Sequence, residues 1–299
     1  MRVQVITVPY RYDERNDGLG LGPKALLDAG LVRILQRAGL NMSDPVDVLL
    51  PDDERVDSPI SVNIGRLGSH TATAVADARE AGYGALVLAG DDTASIGVVA
   101  GLQKAEGAGA KIGIVWLDAH ADFNTPETSY SGILAGMPVA ILAGLAGPIW
   151  RGSAGLDATV PTDRILIVGP RELDEKEEAL LRSTDVQLLT SKDIRKVESL
   201  TRAIARLSEN VDIISLHIDL DVLDPSLVPS ASTPARDGML IDEAASVIKK
   251  ILDSGKVAAI SIAGLNPGAG SRGKLSVGSA LSLAEKGLAG WTVSSGSDQ

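Results

Sequence analysis

Short apolar runs recur along the chain, and most are followed by a stretch in which apolar positions return every three or four residues. Runs of four to eight bounded by polar residues predict buried strands, and the longer rhythm predicts helices. Val3 to Val8 is the first run. It leads into a polar, glycine-rich loop, Pro9 to Gly22, carrying Arg11, Asp13, Glu14, Arg15 and Asp17. That loop is long for a compact domain, which fits a functional segment and a solvated connection equally well. A helix to about Ala38 follows, with Pro23 at its first position. Val46 to Leu50 predicts a short strand, 51–63 an irregular stretch, and 70–81 a helix capped by Ser69. His70 reads there as a surface residue.

The alternation continues to the end of the chain. Strands are predicted at Ala85 to Ala89, Ile112 to Leu117, Ile165 to Val168, Val186 to Leu189, Ile213 to Leu220 and Val257 to Ile262. Helices are predicted at 95–102, 133–143, 175–182, 192–207, 242–252 and 275–286. Polar loops fill 123–132 and 225–238, 144–162 reads as irregular surface, and the Ser/Gly-rich tail from Thr292 reads as frayed. About eight strands alternating with helices predict an α/β fold with a mostly parallel sheet covered on both faces. A chain of 299 residues can form one large domain or two small ones. The even rhythm, with no linker and no internal repeat, favours a single domain over 1–299.

Composition narrows the function. A net charge of −11 argues against nucleic acid or an anionic membrane as partner. The absence of cysteine excludes disulfides and thiolate metal sites and permits a reducing, cytoplasmic setting. No apolar run is long enough to span a bilayer, and Met1-Arg-Val-Gln does not open a signal peptide. Aromatic residues are only 3%, so the core must be aliphatic.

Two stretches carry candidate chemistry. In Val115-Trp-Leu-Asp-Ala-His-Ala-Asp122, Asp118, His120 and Asp122 stand at alternate positions after an apolar strand. Alternate residues of an extended segment share a side, so two carboxylates and an imidazole converge at a strand's carboxyl end. Open α/β sheets bind ligands there. Uncompensated, carboxylates that close would force one to take up a proton, and a divalent cation removes that problem. The bland alternative is a polar loop with chance acids. The second stretch, His217-Ile-Asp-Leu-Asp-Val-Leu-Asp224-Pro225, places Asp219 and Asp221 on one face, with Asp224 before proline shaping a turn. The two acidic strand ends can meet only if their strands lie close together. Four carboxylates with one imidazole favour a metal such as Mn²⁺ over the metals that thiolate sites select, and the surplus of carboxylates suggests two ions.

These motifs resemble those of a known family. Asp118-Ala-His-Ala-Asp122, continuing through Asn124-Thr-Pro-Glu-Thr-Ser-Tyr-Ser131-Gly-Ile-Leu-Ala135-Gly-Met-Pro, resembles the second signature of the arginase, or ureohydrolase, superfamily. His217-Ile-Asp219-Leu-Asp221-Val-Leu-Asp224-Pro225, through Thr233-Pro234, resembles its third. Gly20-Leu-Gly-Pro23 and Leu265-Asn266-Pro267 also fit. The resemblance implies a three-layer α/β/α fold with a parallel eight-stranded sheet. It also implies a Mn²⁺ pair that hydrolyses a C–N bond of a guanidino or amidine small molecule, and a homo-oligomer. Asp118 and Asp219 would bridge the ions, with His120 and Asp221 completing one. Asp122 would ligate the other and accept a hydrogen bond from the attacking hydroxide, so that His120 and Asp122 carry the catalytic roles.

Departures from the family pattern are as informative. The family's first motif ends in a metal-binding histidine where this chain, in Ala89-Gly90-Asp91-Asp92-Thr93, has Asp92. Asp92 can ligate in its place; the alternative is an ion weakly held or absent. His217 shares the strand face of Asp219 and Asp221 and is expected behind the ligands rather than as a replacement ligand. An Asn and a His that reach the substrate in arginases are here Ile133 and Ala135, and a Glu that pairs with the guanidinium is here Gly264. By contrast Asn124, Ser131 and Asp174 match positions that hold an amino acid's α-carboxylate and α-amino groups, with Ser129 assisting. An amino-acid head group kept and a C–N end altered would suit an N-hydroxyguanidine such as N-hydroxy-arginine. A metal-poor, non-catalytic relative and an agmatinase-type enzyme are the alternatives.

Overall fold

Most of the apolar runs identified above lie side by side in one sheet. A computed structural model describes residues 2–107, 109–194 and 196–292, so the tail beyond Thr292 lies outside the described residues. The strands are β1 (Arg2–Val8), β2 (Tyr10–Arg11), β3 (Glu14–Arg15), β4 (Asn41–Met42), β5 (Val46–Asp47), β6 (Tyr83–Ala89) and β7 (Ile112–Leu117). They continue with β8 (Ile165–Val168), β9 (Gln187–Leu189), β10 (Ile213–Asp219) and β11 (Val257–Ala263). The main sheet runs β4-β1-β6-β11-β10-β7-β8-β9, with β5 also pairing with β1. Every one of its pairings is parallel. β2 and β3 form a separate antiparallel hairpin inside the 9–22 loop.

Parallel strands need crossovers, and helices supply them on both faces. These are α1 (Gly22–Asp28), α2 (Leu31–Arg37), α3 (Ile60–Glu80), α4 (Ser95–Glu106), α5 (Pro138–Leu142) and α6 (Pro148–Ala154). The second half adds α7 (Glu175–Arg182), α8 (Ser191–Ile194), α9 (Val197–Asn210), α10 (Ile241–Leu252) and α11 (Ser271–Leu288). The period-two pleat divides the core between the faces. On β6, Leu86 and Leu88 pack with α2, α10 and α11, while Ala85, Val87 and Ala89 pack with α3, α4 and α6. The result is the three-layer α/β/α arrangement.

Several boundaries differ from the sequence reading. The helix expected from His70 starts ten residues earlier, at Ile60. Gly65 and Gly68 look like breakers in sequence, but a Cβ at Gly65 would lie 2.4 Å from Ser153 Cβ on α6, so glycine is there for close helix packing. The single helix expected after Pro23 is broken into α1 and α2 at Ala29-Gly30. The expected helix over 133–143 is a 3-10 turn, Leu134–Gly136, followed by α5, and the stretch read as irregular surface contains α6.

The strand order fixes the site. β6, β11, β10 and β7 are adjacent, so the turns bearing Asp92, Gly264, Asp219 and Asp118 leave the sheet next to one another. Sequence neighbours do not predict this: β11 is the last strand of the chain, yet it lies between β6 and β10.

Candidate metal centre

Asp118, Asp219 and Asp221 are each oriented at the strand ends by a backbone or ring N–H. Asp118, the first residue past β7, accepts from the indole of Trp116 at 2.9 Å and from its own turn, His120 N, at 2.7 Å. Asp219 accepts from Asp221 N at 2.7 Å. Asp221 accepts from Ala119 N at 3.2 Å and from the Thr233 hydroxyl at 3.1 Å, which ties the β7 and β10 turns together. His120 Nδ1 lies 3.1 Å from Asp221 Oδ2 and 3.4 Å from Asp118 Oδ1. Asp122 adopts φ +48°, a left-handed conformation uncommon for a residue with a side chain.

Asp91 and Asp92 separate into two roles. Asp91 accepts from Thr93 N at 3.0 Å and from Tyr12 N at 2.7 Å, so it holds the 9–22 loop against the turn after β6. Asp92 is the member of the pair that meets the other acids. Its Oδ1 lies 3.0 Å from Nε2 of His217.

Among the described residues two groups of donor atoms result, the atoms of each within 4.8 Å of one another: Asp92, Asp118 and His217, and Asp118, His120 and Asp221. Asp118 belongs to both. Asp122 and Asp219 stand outside these two groups but face the same cavity of about 770 Å³. Asn124, Ser131, Asp174, Ile133 and Ala135 line it as well. Ser129 does not line it, and reaches it only through Ser131, with hydroxyl oxygens 3.5 Å apart. Asn124 donates to Asp174 at 3.2 Å.

So many acids in one buried place cannot all be charged without a cation. Two carboxylates about 4 Å apart repel by about 4 kcal/mol at an effective dielectric constant of about 20. Burial first, and then the charge of Asp221, pushes Asp219 up to about 7. Burial, and then Asp118, pushes Asp221 up to about 6. Asp92 and Asp122 are raised well above the carboxylate range, by burial first and then by Asp219 and Asp118 respectively. Burial opposes a charge on His120, but bonds to Asp118 and Asp221 prevail and hold its pKa up at about 12. Among the described residues, Asp122 Oδ2 is buried without a hydrogen-bond partner. Oxygen-rich donors, shared carboxylates and an orphaned carboxylate oxygen fit a divalent cation.

Gly264 closes the far wall of the centre. It has φ +84°, and a Cβ built on it would lie 2.3 Å from Asp219 Oδ1. Gly264→Ala is expected to lower stability by about 1–3 kcal/mol and, if Asp219 holds a cation such as Mn²⁺, to weaken that binding by displacing the carboxylate. Thermal unfolding and Mn²⁺ titration check this, and an unchanged Mn²⁺ affinity would show that Asp219 has room to spare.

Several cavity residues were not singled out by the sequence reading. Arg11 and Tyr12 enter from the β2–β3 hairpin. Glu177 is buried on the first turn of α7 and accepts from Phe123 N at 2.9 Å and Asp174 N at 3.2 Å. The Asp-x-x-Glu spacing of a helix start at Asp174 is a sequence signal that could have found it. Arg171 donates to carbonyl oxygens of Gly169, Asp221, Val222, Leu223, Ala235 and Arg236, binding the β8 turn to the loop after β10. No local pattern marks that role. Arg171→Ala is expected to cost about 2–4 kcal/mol, because several carbonyls lose a charged, forked donor. A melting temperature equal to wild type would contradict it.

The arginase family model matches residues 1–289 of the chain. The arginase of Bacillus caldovelox is 30% identical over 275 residues, which is 89% of this chain and 91% of that protein. The crystal structure of arginase from Bacillus subtilis superposes with a TM-score of 0.84 at 26% identity, covering 96% of this chain and 98% of that one. Formimidoylglutamase from Bacillus subtilis shares the fold, with a TM-score of 0.73 at 19% identity, over 96% of this chain and 86% of that one.

Proposed function

The chain belongs to the arginase family, and from that premise we propose that it is a Mn²⁺-dependent hydrolase of a C–N bond in a guanidino-type amino acid. Asp92, Asp118, His120, Asp122, Asp219 and Asp221 hold two ions in this reading. The observation that carries it is the meeting of these residues from three distant segments at adjacent strand ends, with Asp118 common to both donor groups. When bound, a pair of divalent cations neutralises the carboxylates and draws the pKa of water toward neutrality. The protein's own residues do the rest. Asp122 offers its unpartnered Oδ2 as acceptor for the attacking water's hydrogen bond, and His120 presents Nδ1 to the centre between Asp118 and Asp221. Thr233 and the Ala119 N–H keep Asp221 aimed inward.

Substrate choice is read from the cavity walls. Asp174 is an acceptor suited to an α-ammonium, and Asn124 and Ser131 are donors suited to an α-carboxylate. Three positions that could have carried a polar group toward the C–N end do not: Ile133 and Ala135 line the cavity with apolar side chains, and no side chain fits at Gly264. A guanidinium therefore finds no carboxylate at these three positions, and Gly264→Glu alone cannot supply one. The less basic N-hydroxyguanidine of N-hydroxy-arginine needs that partner less. A panel of arginine, N-hydroxy-arginine, agmatine, guanidinobutyrate and formiminoglutamate with Mn²⁺ tests this. The expected result is a kcat/KM for N-hydroxy-arginine at least about tenfold above that for arginine. Efficient arginine turnover, with N-hydroxy-arginine only inhibiting, would overturn it.

A second reading, a metal-poor binding or regulatory protein, draws on the Asp92–His217 pair, whose members already satisfy each other at 3.0 Å. It predicts one ion or none per chain and no turnover of any member of the panel.

A further inference from the structure

His217 is held as ligating histidines are held. It is buried at 2% exposure, and its ring stacks on Trp116 with centroids 3.8 Å apart and planes 20° from parallel. The sheet register causes this. His217 on β10 stands opposite Trp116 on β7 and opposite Ser261 on β11. Nδ1 lies 2.8 Å from the Ser261 hydroxyl. With one ring nitrogen engaged behind, Nε2 is left pointing at the strand ends. A metal-binding histidine is oriented in this way, its second ring N–H given to an outer partner. Trp116 completes the arrangement by donating to Asp118, so one stacked pair orients both an imidazole and a carboxylate.

We propose that His217 is itself a metal ligand, supplying through Nε2 the imidazole that the turn after β6 lacks because it carries Asp92. The inference rests on the dinuclear reading above. Donor atoms of Asp92, Asp118 and His217 lie within 4.8 Å of one another. Two ligands about 2.1 Å from one ion and at right angles lie about 3.0 Å apart. Nε2 and Asp92 Oδ1 are separated by 3.0 Å. A cation can thus take the place of the hydrogen between them. The ion on this side would have Asp92 and His217 together, one imidazole and one additional carboxylate. His217 acting only as a donor to Asp92 would instead leave His120 as the centre's one imidazole.

Loss of Mn²⁺ affinity alone would not separate these roles, because removing an outer partner also weakens binding, by about 10–100-fold. The decisive probe is the full chain loaded with Co²⁺, read by proton NMR. A strongly contact-shifted, exchangeable imidazole N–H requires a bond from that ring to the ion. The chain has three histidines, and His70, on α3, is engaged with Glu54. The expected result is a shifted N–H that persists in His120→Asn and disappears in His217→Asn. Shifted signals identical in wild type and His217→Asn would overturn the proposal while leaving the metal centre standing. Should His217→Asn not fold, ¹⁵N-histidine labelling of the wild type counts contact-shifted rings: two support the proposal and one overturns it. A wild-type chain that takes up no Co²⁺ or Mn²⁺ removes the parent reading and this one together.

Discussion

Asp118→Ala is expected to empty the centre and lower kcat/KM by at least about 10³-fold. Asp118 is the one residue common to both donor groups, so its loss removes a contact from each side at once. Losing a mere outer partner costs about 10–100-fold, and a shared ligand must cost more. Bound Mn²⁺ per chain and kcat/KM are the two readouts, with circular dichroism confirming that the fold survives the loss of the Trp116 bond. An acid outside the centre provides the control. Asp224 serves Ser226, accepting from its backbone N–H at 3.0 Å and its hydroxyl at 2.6 Å, and Asp224→Asn is expected to leave both readouts unchanged. If Asp118→Ala keeps two ions and wild-type turnover, the assignment of the centre is wrong.

The second large effect is on stability, and its sign depends on the metal. In the metal-free protein Asp219 and Asp221 have pKa values pushed up to about 7 and about 6, and those of Asp92 and Asp122 are also raised well above the carboxylate range. Their unfolded values lie near 4. Between those limits the folded state binds more protons than the unfolded state, so stability falls as pH rises. His120, raised from 6.5 to about 12, acts in the same direction above pH 6.5. His217 acts the other way: its pKa, pushed down by burial to about 3, makes stability rise with pH up to 6.5 and is without effect above that. The melting temperature of the metal-free chain is therefore expected to drop from pH 6.5 to pH 8. Binding requires deprotonated ligands, so Mn²⁺ reverses the trend. Two ions at about 100 times their dissociation constants add about 5 kcal/mol, or roughly 10 °C for a chain of this size. The gain should be largest at pH 8. A melting temperature that rises with pH without metal, or a gain from Mn²⁺ that is larger at pH 6.5, would contradict the expected coupling.

The fold was legible because β7, β8, β10 and β11 are fully buried, and full burial writes itself as unbroken apolar runs. Ile112–Leu117 and Ile213–Asp219 read directly as strands, and the acids at their ends read directly as a meeting point. What the sequence hid was of two kinds. Gly65 looks like a helix breaker in one dimension and is a packing surface in three. His217 faces Asp92 across 125 positions of sequence, because β11 comes last in the chain yet sits between β6 and β10. Placing His217 on the strand face of Asp219 and Asp221 was possible from the alternation of side chains. That its ring meets the turn after β6 depends on strand order, which no local pattern encodes. Arg171 is the same case, since its partners are carbonyl groups and carry no side-chain signature.

Metal content is the most direct test of the reading that the buried acids exist to hold cations. The chain is stripped with a chelator, equilibrated with Mn²⁺ at pH 8, dialysed and analysed for manganese. Two ions per chain are expected. A chain that retains none, while folded, would mean that the carboxylates at these strand ends serve some other purpose.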